Sequence, residues 1–131
     1  MKLIIGGYAQ GKLHYVLQSC HLEEELVVDG KLPEQGKAAS RKQKETVVIN
    51  HFHRWVRSRI EGGECPEEMI RAYLAEQPDC IIICDEIGNG IVPADCLERE
   101  YRERLGRILT ELAGKAEQVE RVICGLGQRI K

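Results

Sequence analysis

The sequence has few aromatic residues and no long apolar run. Phe, Trp and Tyr together make up 5% of the 131 residues, and no stretch approaches the roughly 18 apolar residues that a membrane-spanning helix needs. The apolar run within residues 1–12 is too short for a secretion signal. These absences predict a protein that has no membrane partner and a cytoplasmic location.

An excess of charge of either sign is also missing. The 19 Lys and Arg residues nearly balance the 21 Asp and Glu residues, which leaves a formal net charge of −2. Proteins that bind nucleic acid or anionic lipid through their overall charge are usually basic. We therefore expect no nucleic-acid partner.

The cysteines lack the spacing of a metal or disulfide framework. The sequence contains no C-x-x-C pair, and only Cys80 and Cys84 stand close together. Such scattered cysteines are typical of reduced, mostly buried thiols in a cytosolic protein. The set comprises Cys20, Cys65, Cys80, Cys84, Cys96 and Cys124.

Short apolar runs bounded by turn residues recur along the chain, and most are rich in Val and Ile. Such runs are typical of buried strands. With 43% hydrophobic residues, the chain suits one domain over residues 1–131. The predicted strands are Leu3–Ile5, Leu26–Val28, Val47–Ile49, Cys80–Cys84 and Val119–Cys124.

Segments with helical periodicity separate these runs. In the longest segment Leu97, Tyr101, Leu105, Ile108, Leu112 and Ala116 recur at steps of three and four residues. The alternation of strands and helices predicts an α/β fold with a mostly parallel central sheet and helices on both faces. The predicted helices are Lys12–Glu24, a segment around Trp55–Ile60, Pro66–Glu76 and Asp95–Glu117.

Residues 29–46 lack apolar periodicity and carry a concentration of basic side chains. The stretch reads DGKLPEQGKAASRKQKET. Its composition predicts a mobile loop. It is either a solvated connection or a basic flap that closes over a triphosphate; the basic residues are Lys31, Lys37, Arg41, Lys42 and Lys44.

The segment GGYAQGKL follows the first predicted strand and matches a phosphate-binding loop except at its last position. The full pattern is G-x-x-x-x-G-K-S/T, in which successive backbone N–H groups and the lysine bind phosphate oxygens. The final hydroxyl binds magnesium, and Leu13 has no oxygen at that position. The predicted phosphate-binding residues are Gly6, Gly7, Tyr8, Ala9, Gln10, Gly11, Lys12 and Leu13.

The segment Cys84–Lys131 aligns with the pattern N-E-V-G-x-G-I-V-P, followed by a long helix and a final G-I/L-P-x-x-L/I-K. With these motifs the segment resembles the bifunctional adenosylcobinamide kinase and adenosylcobinamide-phosphate guanylyltransferase family of cobalamin biosynthesis. The resemblance implies a three-layer P-loop (RecA-like) fold, ATP or GTP as nucleotide, a corrinoid substrate and a trimeric assembly. The matching residues are Glu86, Gly88, Gly90, Ile91, Val92, Pro93, Gly106, Arg107, Leu112, Ala113, Gly125, Leu126, Ile130 and Lys131.

Two departures from the family bear on catalysis. The segment Val47–Ile60 resembles the family's V-D-C-L-T-L-W-L, but Asn50 stands at its acidic position. An amide attracts hydrated magnesium less than a carboxylate does. Intact members also carry H-R-x-x-R-P-x-x-W, whose histidine takes up the guanylyl group, and residues 29–46 contain no histidine. The resemblance therefore implies weakened magnesium binding and a missing transferase activity.

Asp85 and Glu86 are the candidates to compensate. Together with Lys12 they form the predicted catalytic set, and either carboxylate is a candidate magnesium ligand at the carboxyl end of a central strand. Neighbouring strand residues point to opposite faces, so only one of the two readily faces the site. Asp85 alternatively caps a helix or lies on the surface.

Further cleft candidates follow two of the strands. Besides Asn50, they include His51 and His53, which share a side if the strand continues through them. An H-x-H pair of this kind binds zinc, starts a helix as a polar pair, contacts a phosphate or accepts a guanylyl group. Gly88 and Gly90 flank a turn that is expected to need positive φ angles.

Three functions are consistent with this sequence. The first is an active ATP- or GTP-dependent kinase of a cobinamide-like hydroxyl, and the second is a nucleotide-binding relative with weak or lost activity, a pseudoenzyme. The third is a noncatalytic scaffold subunit. Losing about 4 kcal/mol of transition-state stabilisation slows a step roughly a thousandfold, so retained binding with weak turnover is the central expectation.

Overall fold

The computed structural model describes residues 1–33 and 46–131, so most of the loop predicted at residues 29–46 lies outside the described residues. A single 3-10 turn at Glu24–Leu26 precedes the second strand. The strands are β1 Lys2–Gly6, β2 Val27–Asp29, β3 Val47–Asn50, β4 Cys80–Asp85, β5 Gln118–Ile123 and β6 Leu126–Arg129, and the helices are α1 Lys12–Cys20, α2 Phe52–Glu61, α3 Pro66–Glu76 and α4 Cys96–Lys115.

The strands form one sheet in the order β2-β3-β4-β1-β5-β6. All neighbouring strands are parallel except β5 and β6, which form an antiparallel hairpin. This confirms the predicted three-layer, mostly parallel P-loop (RecA-like) fold. The β6 strand was not predicted, because its four residues are all exposed and carry no apolar alternation.

Alternating side chains of the strands supply two apolar layers. Ile82 and Cys84 of β4 pack with α2, α3 and α4 on one face. Ile81 and Ile83 pack with α1 on the other face. Helices therefore cover both faces, as the alternation of elements predicts.

The long helix α4 begins where Asp95 accepts a hydrogen bond from the Glu98 N–H at 3.0 Å. Leu97, predicted to lie on its apolar face, is 41% exposed in the first turn, so the buried face begins at Tyr101. The first helix is shorter than predicted because His21, with φ 52°, ends it after Cys20. In the described parts of the chain, no helix is both long and apolar enough to cross a membrane.

The six thiols are free, but the expectation that most are buried is wrong. Only Cys80 and Cys84, both on the central strand β4, are buried. Cys20 is partly exposed. Cys65 and Cys96 lie at helix starts and Cys124 lies in the β5–β6 turn, where side chains face solvent.

Candidate functional site

Four strands end at the same edge of the sheet, and three of them bring polar side chains there. Gly6 of β1 is the register partner of Asp85 of β4, and Asp29 of β2 is the partner of Asn50 of β3. The helix after β1 lies on one face and the helix after β4 on the other. In parallel α/β sheets, neighbouring strands whose following helices lie on opposite faces leave a crevice between them. Ligands bind in this crevice, outside the carboxyl ends of the strands.

The loop between β1 and α1 depends on its glycines. A Cβ added at Gly6 would lie 2.4 Å from the carbonyl oxygen of Val122 on β5, so this position leaves no room for a side chain. Gly11, with φ 78°, is the left-handed residue from which α1 starts. Leu13 follows in the first helical turn and is partly buried.

The backbone of this loop offers a row of free donors. No acceptor among the described residues takes a hydrogen bond from the N–H groups of residues 7–11. Tyr8 and Ala9 are exposed, and the Tyr8 side chain is 78% exposed. Adjacent unpaired amides at a helix N-terminus form an anion-binding concavity.

The β5–β6 turn holds the loop from the other side. The Cys124 N–H donates to Gln10 Oε1 and the Gly125 N–H donates to the Gln10 carbonyl oxygen, both at 2.8 Å. Sequence reasoning assigned Gln10 only to the phosphate-binding backbone. The role of its side chain was not readable from sequence, because it depends on a hairpin more than 100 residues away.

The Lys12 side chain is buried, and its ammonium group already contacts two oxygen atoms of the protein. Its Nζ donates to the Gly7 carbonyl oxygen at 2.6 Å and lies 2.6 Å from Asp85 Oδ1. Lys12 and Asp85 are each 7% exposed. Asp85 therefore faces the loop and caps none of the described helices.

His53 contacts the same carboxylate from helix α2. Its Nδ1 accepts a hydrogen bond from the Asp85 N–H at 3.3 Å, and its Nε2 lies 3.7 Å from Asp85 Oδ2. Burial lowers the pKa of His53 more strongly than the Asp85 charge raises it. Neutral His53 thus carries its proton on Nε2, facing the carboxylate.

Glu86 lies on the opposite side of the strand from Lys12. Its carboxylate accepts a hydrogen bond from Arg121 of β5 at 2.9 Å, and its backbone N–H donates to the Gly6 carbonyl oxygen at 3.0 Å. The structure thus separates Asp85 from Glu86, as side-chain alternation predicts. Of the two carboxylates, Asp85 is the one beside Lys12.

Of the alternatives for the two histidines, the polar pair at the start of a helix is confirmed, and the strand does not continue through them. The strand ends at Asn50, and His51, with φ 50°, turns the chain into helix α2, where His53 lies. The two rings still approach edge to face, with centroids 5.6 Å apart. They meet because of the turn and not because of a shared strand face.

Asp29 joins Asn50 and His51 in a cluster that sequence reasoning missed. Asp29 Oδ1 accepts from Asn50 Nδ2 at 2.8 Å and lies 2.5 Å from His51 Nδ1. Asn50 Nδ2 and His51 Nδ1 are 3.1 Å apart. One signal was available, because Asp29 directly follows an apolar run and so belongs to the carboxyl end of a strand.

The segment after β4 is held by an arginine of α4. Arg102 donates to the carbonyl oxygens of Ile87, Asn89 and Ile91 at 2.8, 3.1 and 2.7 Å. Gly90 has φ 109°, as expected, but Gly88 is not among the glycines with positive φ, so only one of the two needs that freedom. A cavity of about 570 Å³ opens between this segment, α2 and α4, and His53 and Tyr101 line it.

A protein-family model described as cobinamide kinase / cobinamide phosphate guanyltransferase matches residues 20–130. That range covers most of the chain. The chain belongs to this family. The matched range contains β3, β4 and the β5–β6 hairpin and starts after the loop of residues 6–13.

Two curated proteins are similar to part of the chain. They are the bifunctional adenosylcobalamin biosynthesis proteins CobU of Salmonella typhimurium and of Escherichia coli K12. Each is 39% identical over 51 residues, which amount to 39% of this chain. The aligned segment spans only 28% of the length of either relative.

Proposed function

We propose that the chain binds the phosphates of ATP or GTP at residues 6–13 and that phosphoryl and guanylyl transfer by it are weak or absent. The observation that carries this proposal is the row of amides at residues 7–11, which donate to no acceptor among the described residues, with Lys12 at its end. Family membership supports a nucleotide as the ligand.

Binding would use three sources of positive potential. The loop amides donate to phosphate oxygens, the N-terminus of α1 adds its dipole, and the Lys12 ammonium adds a full charge. Lys12 Nζ already lies 2.6 Å from Asp85 Oδ1. A bound phosphate therefore competes with Asp85 for this cation, which lowers the affinity below that of a loop with a free lysine.

The residues at the two usual magnesium positions do not fit that ion. Leu13 presents an alkyl group, and Asn50 donates its amide N–H to Asp29 Oδ1. Magnesium requires oxygen ligands in near-octahedral geometry. Without an anchored divalent cation, the charge that builds on a transferring phosphoryl group is less well stabilised, which is the reason to expect slow transfer.

Two further properties, a corrinoid ligand and a trimeric assembly, are proposed from membership of the family. A corrinoid is proposed as a second ligand, for which the cavity beside His53 offers room. A trimeric assembly is proposed from the family alone. The region expected to supply a guanylyl-accepting histidine, residues 29–46, contains none.

Thermal unfolding with ATP, GTP or cobinamide, each with EDTA or with magnesium, tests the proposal. A ligand at a hundred times its dissociation constant adds about 2.7 kcal/mol, or several degrees in Tm for a domain of this size. We expect a nucleotide-induced rise in Tm that persists in EDTA. Lys12→Met should remove the rise, and Glu86→Gln, on the opposite face, should keep it.

No rise with either nucleotide would overturn the proposal. A rise that requires magnesium would contradict the claim that the usual metal positions are lost. Binding that survives Lys12→Met unchanged would place the nucleotide elsewhere.

A second candidate function is a working kinase in which Asp85 replaces the lost acidic group. The position of Asp85 beside Lys12 favours this candidate. Asp85→Asn distinguishes the two. In the binding function it frees Lys12 and tightens binding of tripolyphosphate in EDTA, whereas in the kinase it abolishes transfer from labelled ATP or GTP to cobinamide.

A further inference from the structure

The β5–β6 hairpin packs against the phosphate-binding loop at both ends of the loop. The Gly125 N–H donates to the Gln10 carbonyl oxygen at 2.8 Å. A Cβ added at Gly11 would lie 3.4 Å from Gly125 Cα, and one added at Gly6 would lie 2.4 Å from the Val122 carbonyl oxygen. Two backbones this close cannot move independently, so the hairpin restrains the loop.

The side chain of Gln10 connects the same turn to the middle of the loop. Its Oε1 accepts a hydrogen bond from the Cys124 N–H at 2.8 Å, and its Nε2 donates to the Tyr8 carbonyl oxygen at 3.4 Å. A Cβ at Gly7 would meet Gln10 Cγ at 3.5 Å, so the side chain lies back along the loop. A side-chain amide suits this bridge because it carries both an acceptor and a donor.

The loop backbone adopts a conformation that needs support from its surroundings. Ala9 has φ 53°, in the left-handed region that residues other than glycine seldom occupy. Such conformations persist when the surrounding contacts hold them. The bonds of Gln10 hold the residues on both sides of Ala9, since Gln10 is bonded to the turn and Tyr8 is bonded through its carbonyl oxygen.

The order of the loop bears directly on its affinity for an anion. The N–H groups of residues 7–11 donate to no acceptor among the described residues, so their direction is not fixed by bonds of their own. When only a fraction of the molecules has the binding conformation, the apparent affinity falls by that fraction. Contacts that hold the loop before a ligand arrives therefore raise the affinity without touching the ligand.

We propose that Gln10 is a positioning residue that, through the β5–β6 turn, holds the amides of residues 7–11 in their anion-binding arrangement. The inference rests on the proposed function for its ligand, whereas the order of the free loop is a property of the protein alone. Both polar atoms of the Gln10 side chain are bonded to protein backbone, so its effect on a nucleotide acts through the loop.

Two variants and a matched control test this role. Gln10→Met keeps the length of the side chain and removes both of its hydrogen bonds, and Gly125→Ala strains the turn at φ 77°. Gly63→Ala is the control, because Gly63 has φ 72° and, like Gly125, has no atom within 4 Å of an added Cβ. Gly63 lies between α2 and α3, which pack on the face of the sheet opposite α1.

Three quantities are measured for each protein: ¹⁵N order parameters of the loop without ligand, Tm, and the dissociation constant for ATP in EDTA. We expect Gln10→Met to lower the order parameters of residues 7–10 from about 0.85, typical of rigid backbone, towards about 0.6. Both loop variants should bind ATP roughly threefold to tenfold more weakly, the equivalent of one hydrogen bond. Gly63→Ala should lower Tm as much as Gly125→Ala does and leave ATP binding unchanged.

Unchanged order parameters in Gln10→Met would overturn the proposal, as would ATP binding by both loop variants as tight as that of the parent chain. An equal loss of affinity in Gly63→Ala would assign the effect to lower stability in general and would overturn it too. If the parent chain binds no ATP, the proposed function fails, and the order parameters of the free loop alone then decide whether Gln10 positions it.

Discussion

Lys12 and Asp85 form a buried ion pair across the edge of the sheet, with 2.6 Å between Nζ and Oδ1. Removing either partner leaves the other charge buried without its counter-ion, which is strongly destabilising. We expect Lys12→Met and Asp85→Asn each to lower the free energy of unfolding by about 2 to 4 kcal/mol. The double variant should lose less than the sum of the two, as denaturant unfolding of all four proteins would show. Strict additivity would contradict a direct pair.

Gly6 of β1 lies so close to the backbone of β5 that we expect a methyl group at this position to destabilise the fold. An alanine Cβ there would lie 2.4 Å from the Val122 carbonyl oxygen, which belongs to the backbone and cannot move alone. We expect Gly6→Ala to lower the free energy of unfolding by about 1 to 3 kcal/mol. Gly7→Ala is the control, since its Cβ would meet only Gln10 Cγ at an ordinary 3.5 Å. Equal stability of the two variants in urea would refute this account of the loop.

The ion pair between Glu67 and Arg104 ties α3 to α4 and makes stability depend on pH. The Arg104 guanidinium, at 2.6 Å, lowers the pKa of Glu67 to about 2. A lowered carboxyl pKa stabilises the fold above its ordinary pKa of 4.5, and this stabilisation is lost as the pH falls towards 2. Glu67→Gln should therefore lower the free energy of unfolding by on the order of 1 to 2 kcal/mol at pH 7 and by much less near pH 2.

Urea unfolding at a series of pH values measures how the stability lost in Glu67→Gln changes with pH. Glu100→Gln serves as the control, because Glu100 also pairs with Arg104 but is 53% exposed, and exposed pairs contribute little. If Glu67→Gln lowers the free energy of unfolding by the same amount at pH 7 and near pH 2, the charge of Glu67 does not contribute to stability.

The cysteines should fall into classes of reactivity. Burial raises the pKa of the Cys80 thiol to about 11 and raises that of Cys84 further, so neither forms thiolate at neutral pH. Cys65, Cys96 and Cys124 are exposed. A disulfide reagent at pH 7.5 should thus modify three thiols rapidly in the folded protein and all six after unfolding. Rapid modification of five or six in the folded state would contradict the burial of the central strand.

The sequence predicted the elements of the sheet better than it predicted their contacts. Within the residues that the structure describes, the apolar runs and helical periods located five of the six strands and all four helices, because local periodicity encodes burial. The pairing of Lys12 with Asp85 and of Asp29 with His51 depends on which strands are neighbours. That order results from packing of the whole chain, and residues more than 70 positions apart, as with Lys12 and Asp85, carry no local sign of it.

The ends of the elements were less predictable than their centres. The H-x-H spacing is compatible with a strand and with a helix start, and the left-handed His51, with φ 50°, starts the helix there. The hairpin strand β6 escaped prediction because it lies at the sheet edge with both faces exposed, so it lacks the alternation that marks half-buried strands.

Amide spectra of ¹⁵N-labelled protein during titration with ATP in EDTA test the central claim most directly, because they report on the loop donors themselves. The account predicts saturable shifts concentrated in the backbone N–H signals of residues 7–12, with Lys12→Met weakening them at least about tenfold. Signals of these residues that stay in place at millimolar ATP, or shifts confined to other parts of the chain, would contradict it.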